Sequence, residues 1–172
     1  MDWGRLEALW GRIVAGNTPE WPDGKALEYL IIRGCELSNI EVEYSYTIRP
    51  KYLKNTIAEE IDGLVYLGNI PFLVECKDRH KMDVLPIYKL HSQLSRHPPA
   101  TMGCVFVDGE FTDPAIYLAD LLTPQRIILW NRDNIGSAIQ AKDFSAILQR
   151  KYKDLCKYGL TNYSSAFNDL EV

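Results

Sequence analysis

No run of apolar residues in the 172-residue sequence approaches the ~20 that a membrane-spanning helix needs. The opening Met1-Asp2-Trp3-Gly4 has neither the basic nor the apolar segment of a signal peptide. No membrane association is therefore expected, and a reducing cytoplasm is the natural setting. Cysteine is scarce: Cys35, Cys76, Cys104 and Cys156 stand far apart with no C-x-x-C pair, which argues against a zinc site and predicts four buried thiols. Histidine is scarcer still. His80, His91 and His97 are not spaced as a metal set, and exposed positions are expected for all three. Repeats, low-complexity tracts and linker-like stretches are also lacking, so a single domain is expected.

Excess positive charge is missing too. The net charge is −4 and the pI about 5.4, so the chain as a whole lacks the footprint of a nucleic-acid-binding protein. Distribution matters more than the sum. Between Lys77 and His97 five Lys/Arg face two Asp, and all three histidines lie there. A local basic face is enough for phosphate contact, though a solvated helix surface has the same composition.

What is present is ordinary globular material: 47% hydrophobic and 24% charged residues, a balance that excludes a disordered chain. Apolar residues recur at helical spacing over 2–15, with Asp2 as N-cap, and a second helix is predicted over 25–37 after the Pro/Gly-rich break at 17–24. Residues 40–48 alternate, with Ile40, Val42, Tyr44, Tyr46 and Ile48 predicted on one buried face. Two β-rich runs, 60–67 and 70–77, flank Gly68-Asn69, a hairpin signal. Beyond them the pattern predicts a helix near 84–97, a strand at 102–107, a helix at 113–122, a strand at 126–131 and helices over 133–158, with the last dozen residues a tail. The fold class is α/β: a mixed central sheet with helices on both faces.

The hairpin brings chemistry together. With a two-residue turn Leu67 pairs with Ile70, and counting back along both strands sets Asp62 opposite Glu75 and Glu60 opposite Lys77. Opposed residues share a face with Cβ atoms roughly 5 Å apart. Two carboxylates and an ammonium so close together conflict unless a cation joins them. Mg²⁺, or Mn²⁺ in its place, is typically held by one or two carboxylates with open positions for water and phosphate oxygens. On the following helix Lys89 and Gln93 are candidates for phosphate contact, and Arg49, Lys51 and Lys54 for a nucleic-acid-binding loop. Plain surface positions are the alternative for each.

The stretch Glu60-Ile61-Asp62-Gly63-Leu64-Val65-Tyr66, followed by Phe72-Leu73-Val74-Glu75-Cys76-Lys77, resembles the core motif of the restriction-endonuclease-like nucleases, the PD-(D/E)XK superfamily. The resemblance covers about residues 25–132, which makes the flanking helices extensions of the core. It implies that Asp62 and Glu75 are metal ligands, with the backbone carbonyl of Cys76 a third. It implies also that Lys77 orients the attacking water or offsets charge on the phosphate. Members commonly carry an acid on the preceding helix, a position matched by Glu28. Ile61 stands where the motif name has proline. The expected activity is divalent-metal-dependent hydrolysis of DNA phosphodiesters, of endonuclease type. Two alternatives stand beside it: an inactive nuclease-fold module that binds nucleic acid or serves assembly, and a homodimeric junction or repair nuclease.

Overall fold

The computed structural model describes residues 1–52, 57–122 and 126–162. In chain order the elements are α1 (Trp3–Val14), α2 (Lys25–Leu37), β1 (Glu41–Ile48), β2 (Glu59–Leu67), β3 (Ile70–Lys77), β4 (Lys81–Met82), α3 (Leu85–Leu94), β5 (Met102–Val107), β6 (Glu110–Phe111), α4 (Asp113–Leu121), β7 (Ile127–Trp130), α5 (Arg132–Ala141) and α6 (Phe144–Tyr158). Strands β1, β2, β3, β5 and β7 form one mixed sheet in that order, antiparallel as far as β3 and parallel beyond it. Helices α1, α2, α5 and α6 bury one face, with Val65, Val74, Cys76, Phe106 and Trp130. Helices α3 and α4 bury the other, with Ile61, Leu73, Val105 and Leu129. This is the α/β class expected. No helix among the described residues is long and apolar enough to cross a membrane.

Local chemistry accounts for most boundaries. Asp2, Thr112, Asn131 and Asp143 each accept a first-turn amide, at 3.0, 3.3, 3.0 and 2.9 Å, and so start α1, α4, α5 and α6. Leu6, Leu9 and Ile13 are the buried stripe of α1. In the β2–β3 hairpin Leu67 pairs with Ile70, and the expected register continues to Gly63 opposite Val74.

Four details depart from the sequence reading. β1 does not keep one buried face: Val42 packs on the α1/α2 side and Tyr46 on the α3/α4 side, while Tyr44 is 41% exposed. The β1–β2 ladder skips Ser45 and Asp62 where the side changes, with the same register before and after. Cys156 is exposed, unlike the other three cysteines. The parallel pair β4–β6, two residues per strand, was not foreseen, being too short for any periodicity to register. The predicted tail begins too early, because Thr161 is buried; residues 163–172 lie outside the described residues.

Thr161 helps close an open edge. β7 ends the sheet, and an unpaired edge invites pairing with another chain. The Leu129 amide donates to Thr161 O at 3.1 Å, and the Lys151 ammonium donates to Leu129 O at 2.9 Å. Burial lowers the Lys151 pKa from 10.5 to about 8. Below that pH the folded and unfolded chains both carry the proton, and the cost of burying the charge is felt in full. Between about 8 and 10.5 the unfolded chain binds more protons, so the Lys151 contribution to stability improves as pH rises. In urea unfolding, wild type is expected to gain on Lys151→Met by up to about 3 kcal/mol between pH 7 and pH 10. A pH-independent difference between the two proteins would mean that Lys151 is not buried as a charge.

Candidate active site

The site forms where β2 and β3 part. Their ladder ends at Gly63 and Val74. On β2, Gly63 and Val65 face α2 while Ile61 packs on the α3/α4 side, so the strand rolls at Asp62 and its carboxylate turns toward β3. There Asp62 Oδ2 accepts the backbone N–H of Cys76 at 2.8 Å, replacing the strand pairing that has been lost. Further into the gap, Gln93 of α3 donates to Glu60 O at 3.0 Å. Gln93 is buried, not the surface residue that its helical position suggested. The ladder thus stops one pair short of Asp62 and Glu75, and Asp62 points across the strand gap to the Cys76 amide instead of pairing with Glu75.

Glu75 is 1% exposed at the carboxyl end of β3. A carboxylate buried so deeply costs several kcal/mol unless it is paired. Two lysines pair with it. Lys77 Nζ lies 2.6 Å from Oε1, and Lys89 Nζ lies 2.7 Å from Oε2 and 3.0 Å from Oε1. The same Lys77 Nζ donates to Cys76 O at 3.0 Å. The cross-strand pair expected between Glu60 and Lys77 does not form, since the strands have already diverged. Burial works against the Lys77 ammonium, but its bond to Glu75 and the nearby Asp62 charge outweigh that and raise its pKa.

Glu28 comes to the same place from α2. Gly63 eases its approach: a Cβ there would stand 2.2 Å from Ile32 Cδ1, so glycine lets α2 lie this close to β2 without moving the Ile32 side chain. Ile32 is one helical turn beyond Glu28, and the contact turns Glu28 toward Asp62. Burial raises the Glu28 carboxyl pKa; its hydrogen bond to Lys25, at 2.6 Å, opposes this and the Asp62 charge adds to it.

The other sequence candidates separate. Lys89 joins the cluster. Lys51 is exposed in the turn after β1, and Lys54 lies outside the described residues. His80 is exposed, while His91 and His97 are partly buried. Beyond Lys77 lie groups the sequence reading missed. Buried Asp108 has its carboxyl pKa raised by burial and by the charge of Asp78, with Arg132 Nη2 3.7 Å from its Oδ2. A polar cleft of about 730 Å³ is lined by Glu28 and Lys77 together with Thr18, Trp21, Asp78 and Arg79. An acidic residue following the Glu-x-Lys triplet was the available hint for Asp78; Trp21 gave none beyond being an aromatic in a Pro/Gly-rich loop.

Among the described residues no three carboxylate, imidazole or thiol side chains gather closely enough to hold a metal ion. The donor set that could hold one is of another kind, the carboxylates of Asp62 and Glu75 with the carbonyl of Cys76. Its chemistry fits a hard divalent cation, because an ammonium already rests on Glu75 Oε1 and Cys76 O together.

The fold and cluster define an α/β protein with paired acids and lysines at the carboxyl end of its central strand. No family model and no curated protein matches the chain. Among solved structures, AF1548, a protein of unknown function, aligns with a TM-score of 0.50 and 15% identity over 78% of this chain and 77% of that one. The DNA modification-dependent restriction endonuclease AspBHI aligns with a TM-score of 0.47 and 12% identity; 90% of this chain is covered, but only 40% of AspBHI. At such identity the likeness to AF1548 is one of fold alone.

Proposed function

We propose that this protein is a divalent-metal-dependent nuclease of the restriction-endonuclease-like type, cutting DNA phosphodiesters as a cytoplasmic endonuclease. One observation carries the reading: Glu28, Asp62, Glu75 and Lys77 converge where β2 leaves β3, with a cationic group spanning Glu75 and the Cys76 carbonyl. Asp62, Glu75 and the carbonyl of Cys76 would hold Mg²⁺ or Mn²⁺. When bound, the ion would polarise a phosphoryl oxygen and acidify a water. Hydrolysis forms a bond from water oxygen to phosphorus and breaks one ester P–O bond, the leaving oxygen taking up a proton. Lys77 supplies positive charge where the phosphate oxygens gain negative charge. Asp62 is held in place by the Cys76 amide, and Lys89 lies beside Glu75, able to turn to a phosphate. Cutting both strands of a duplex needs two such sites, hence a homodimer.

The test is calorimetric titration of Mg²⁺ and Mn²⁺ into wild type and the Asp62→Ala/Glu75→Ala double variant, beside a plasmid-nicking assay. Binding and nicking in wild type, both lost in the variant, are expected. Equal metal binding in the two proteins without nicking would move the carboxylates to a structural role. A second reading then leads, favoured by one feature: two lysines already neutralise Glu75, as an inactive nucleic-acid-binding module would need. That reading predicts salt-sensitive DNA binding with no cleavage.

A further inference from the structure

Among the residues lining the cleft before Glu28 and Lys77, one aromatic ring stands out, that of Trp21. The ring is braced from behind. Its centroid lies 5.2 Å from that of Tyr29, and Tyr29 lies 6.3 Å from Tyr44. The loop that carries it is fixed as well: the Trp21 amide donates to Thr18 O at 3.0 Å, and Arg12 Nε donates to Asn17 O at 3.1 Å while its Nη2 pairs with Glu20. Pro19 and Pro22 flank the ring and restrict the backbone on both sides. Presenting Trp21 to a ligand therefore requires little ordering. The cleft carries charge of both signs: the cations Lys77 and Arg79 line it together with the acids Asp23, Glu28 and Asp78.

A rigid aromatic face beside positive charge is the combination by which proteins hold single-stranded nucleic acid. Resting on the nuclease reading for the identity of the ligand, we infer that the cleft takes an unpaired nucleotide of a DNA strand, its base stacked on Trp21 and its phosphate toward Lys77 and Arg79. In a duplex the faces of each base are covered by its neighbours, so Trp21 can be reached only by a single strand or by an extruded base. The cleft, about 730 Å³, has the size that encloses a small ligand, not a double helix.

The 172-residue chain in EDTA, where no metal supports cutting, would be titrated into fluorescein-labelled oligothymidylate, alone and paired with oligoadenylate. The same titration with 2-aminopurine in the single strand reads stacking directly. Wild type is expected to prefer the single strand and to quench the 2-aminopurine. Trp21→Ala should weaken single-strand binding by about ten-fold, as loss of one stacked base does, and leave duplex binding within two-fold. Trp21→Phe should restore most of the loss. Unchanged single-strand affinity, equal losses on both DNA forms, or no quenching by wild type would each overturn the inference, and the last holds even if Trp21→Ala fails to fold. Metal-dependent nicking that survives Trp21→Ala without quenching sinks this inference and spares the nuclease reading. Trp21-dependent stacking without metal-dependent cleavage does the reverse.

Discussion

Lys77→Met is expected to lower DNA nicking at least a hundred-fold while tightening Mn²⁺ binding several-fold. The two effects oppose each other because one ammonium has two duties. In the structure Lys77 Nζ rests on Glu75 Oε1 and on Cys76 O, two of the three donors proposed for the metal. A divalent ion arriving there must displace it, so removing it favours the ion. Removing it also takes away the positive charge proposed to meet the phosphate as negative charge builds, and losses of this kind cost about 10²–10³ in rate. Lys89→Met separates the two duties. Lys89 holds both oxygens of Glu75, at 2.7 and 3.0 Å, but makes no bond to Cys76 O, so its loss should also tighten Mn²⁺ and leave more activity. Each variant leaves the buried Glu75 less compensated, and the metal-free protein should melt earlier, with Mn²⁺ restoring more than it does in wild type. Calorimetric titration and melting curves with and without Mn²⁺ check all three statements. Metal affinity unchanged in both variants would exclude Glu75 from the ligand set.

Much of this arrangement was legible in the sequence. Periodicity placed the main helices and strands, and the two-residue loop Gly68-Asn69 was enough to set the hairpin register as far as Gly63 and Val74, one pair short of Asp62 and Glu75. The roll at Asp62 was not legible, because Ile61, Gly63 and Val65 continue an unbroken alternation on paper while the strand changes sides. Gly63 was the available sign: a glycine inside a central strand marks a bend or a close backbone approach. Gln93 misled for a related reason. A glutamine on a helix reads as surface, and its partner is a carbonyl released only when β2 leaves β3. Tyr44 misled in the opposite direction, since an alternating strand does not announce that it lies at the sheet edge. Cleft-lining residues such as Trp21 and Asp78 come from separate connections, and no spacing rule relates them.

Gly109 carries the second large effect. It sits between β5 and β6, where the chain crosses the segment leaving β3. A Cβ at this position would lie 2.2 Å from His80 O, 2.4 Å from His80 C and 2.5 Å from Arg79 O. All three are backbone atoms, so no side chain can swing aside. Hydrogen bonds clamp the crossing from both sides: the Glu110 amide donates to His80 O at 3.0 Å, and the Arg132 amide to Gly109 O at 3.0 Å. Gly109→Ala must spread these strands, and overpacking of this kind costs about 3 kcal/mol or more. For a chain of this length that corresponds to a fall in Tm of roughly 6–12 °C. The damage should reach the site as well, because Lys77 O accepts the amides of both Arg79 and Asp108 across the same crossing, at 3.1 and 3.4 Å. Nicking by Gly109→Ala is therefore expected to drop even well below its melting temperature. Gly11 provides the control. It lies exposed within α1, and nothing stands within 4 Å of a Cβ built there. Gly11→Ala should raise stability by about 0.5–1 kcal/mol through lower backbone entropy in the unfolded chain. Thermal melts of the two variants should move in opposite directions; a Gly109→Ala protein melting with wild type would show that the crossing is looser than the bonds across it require.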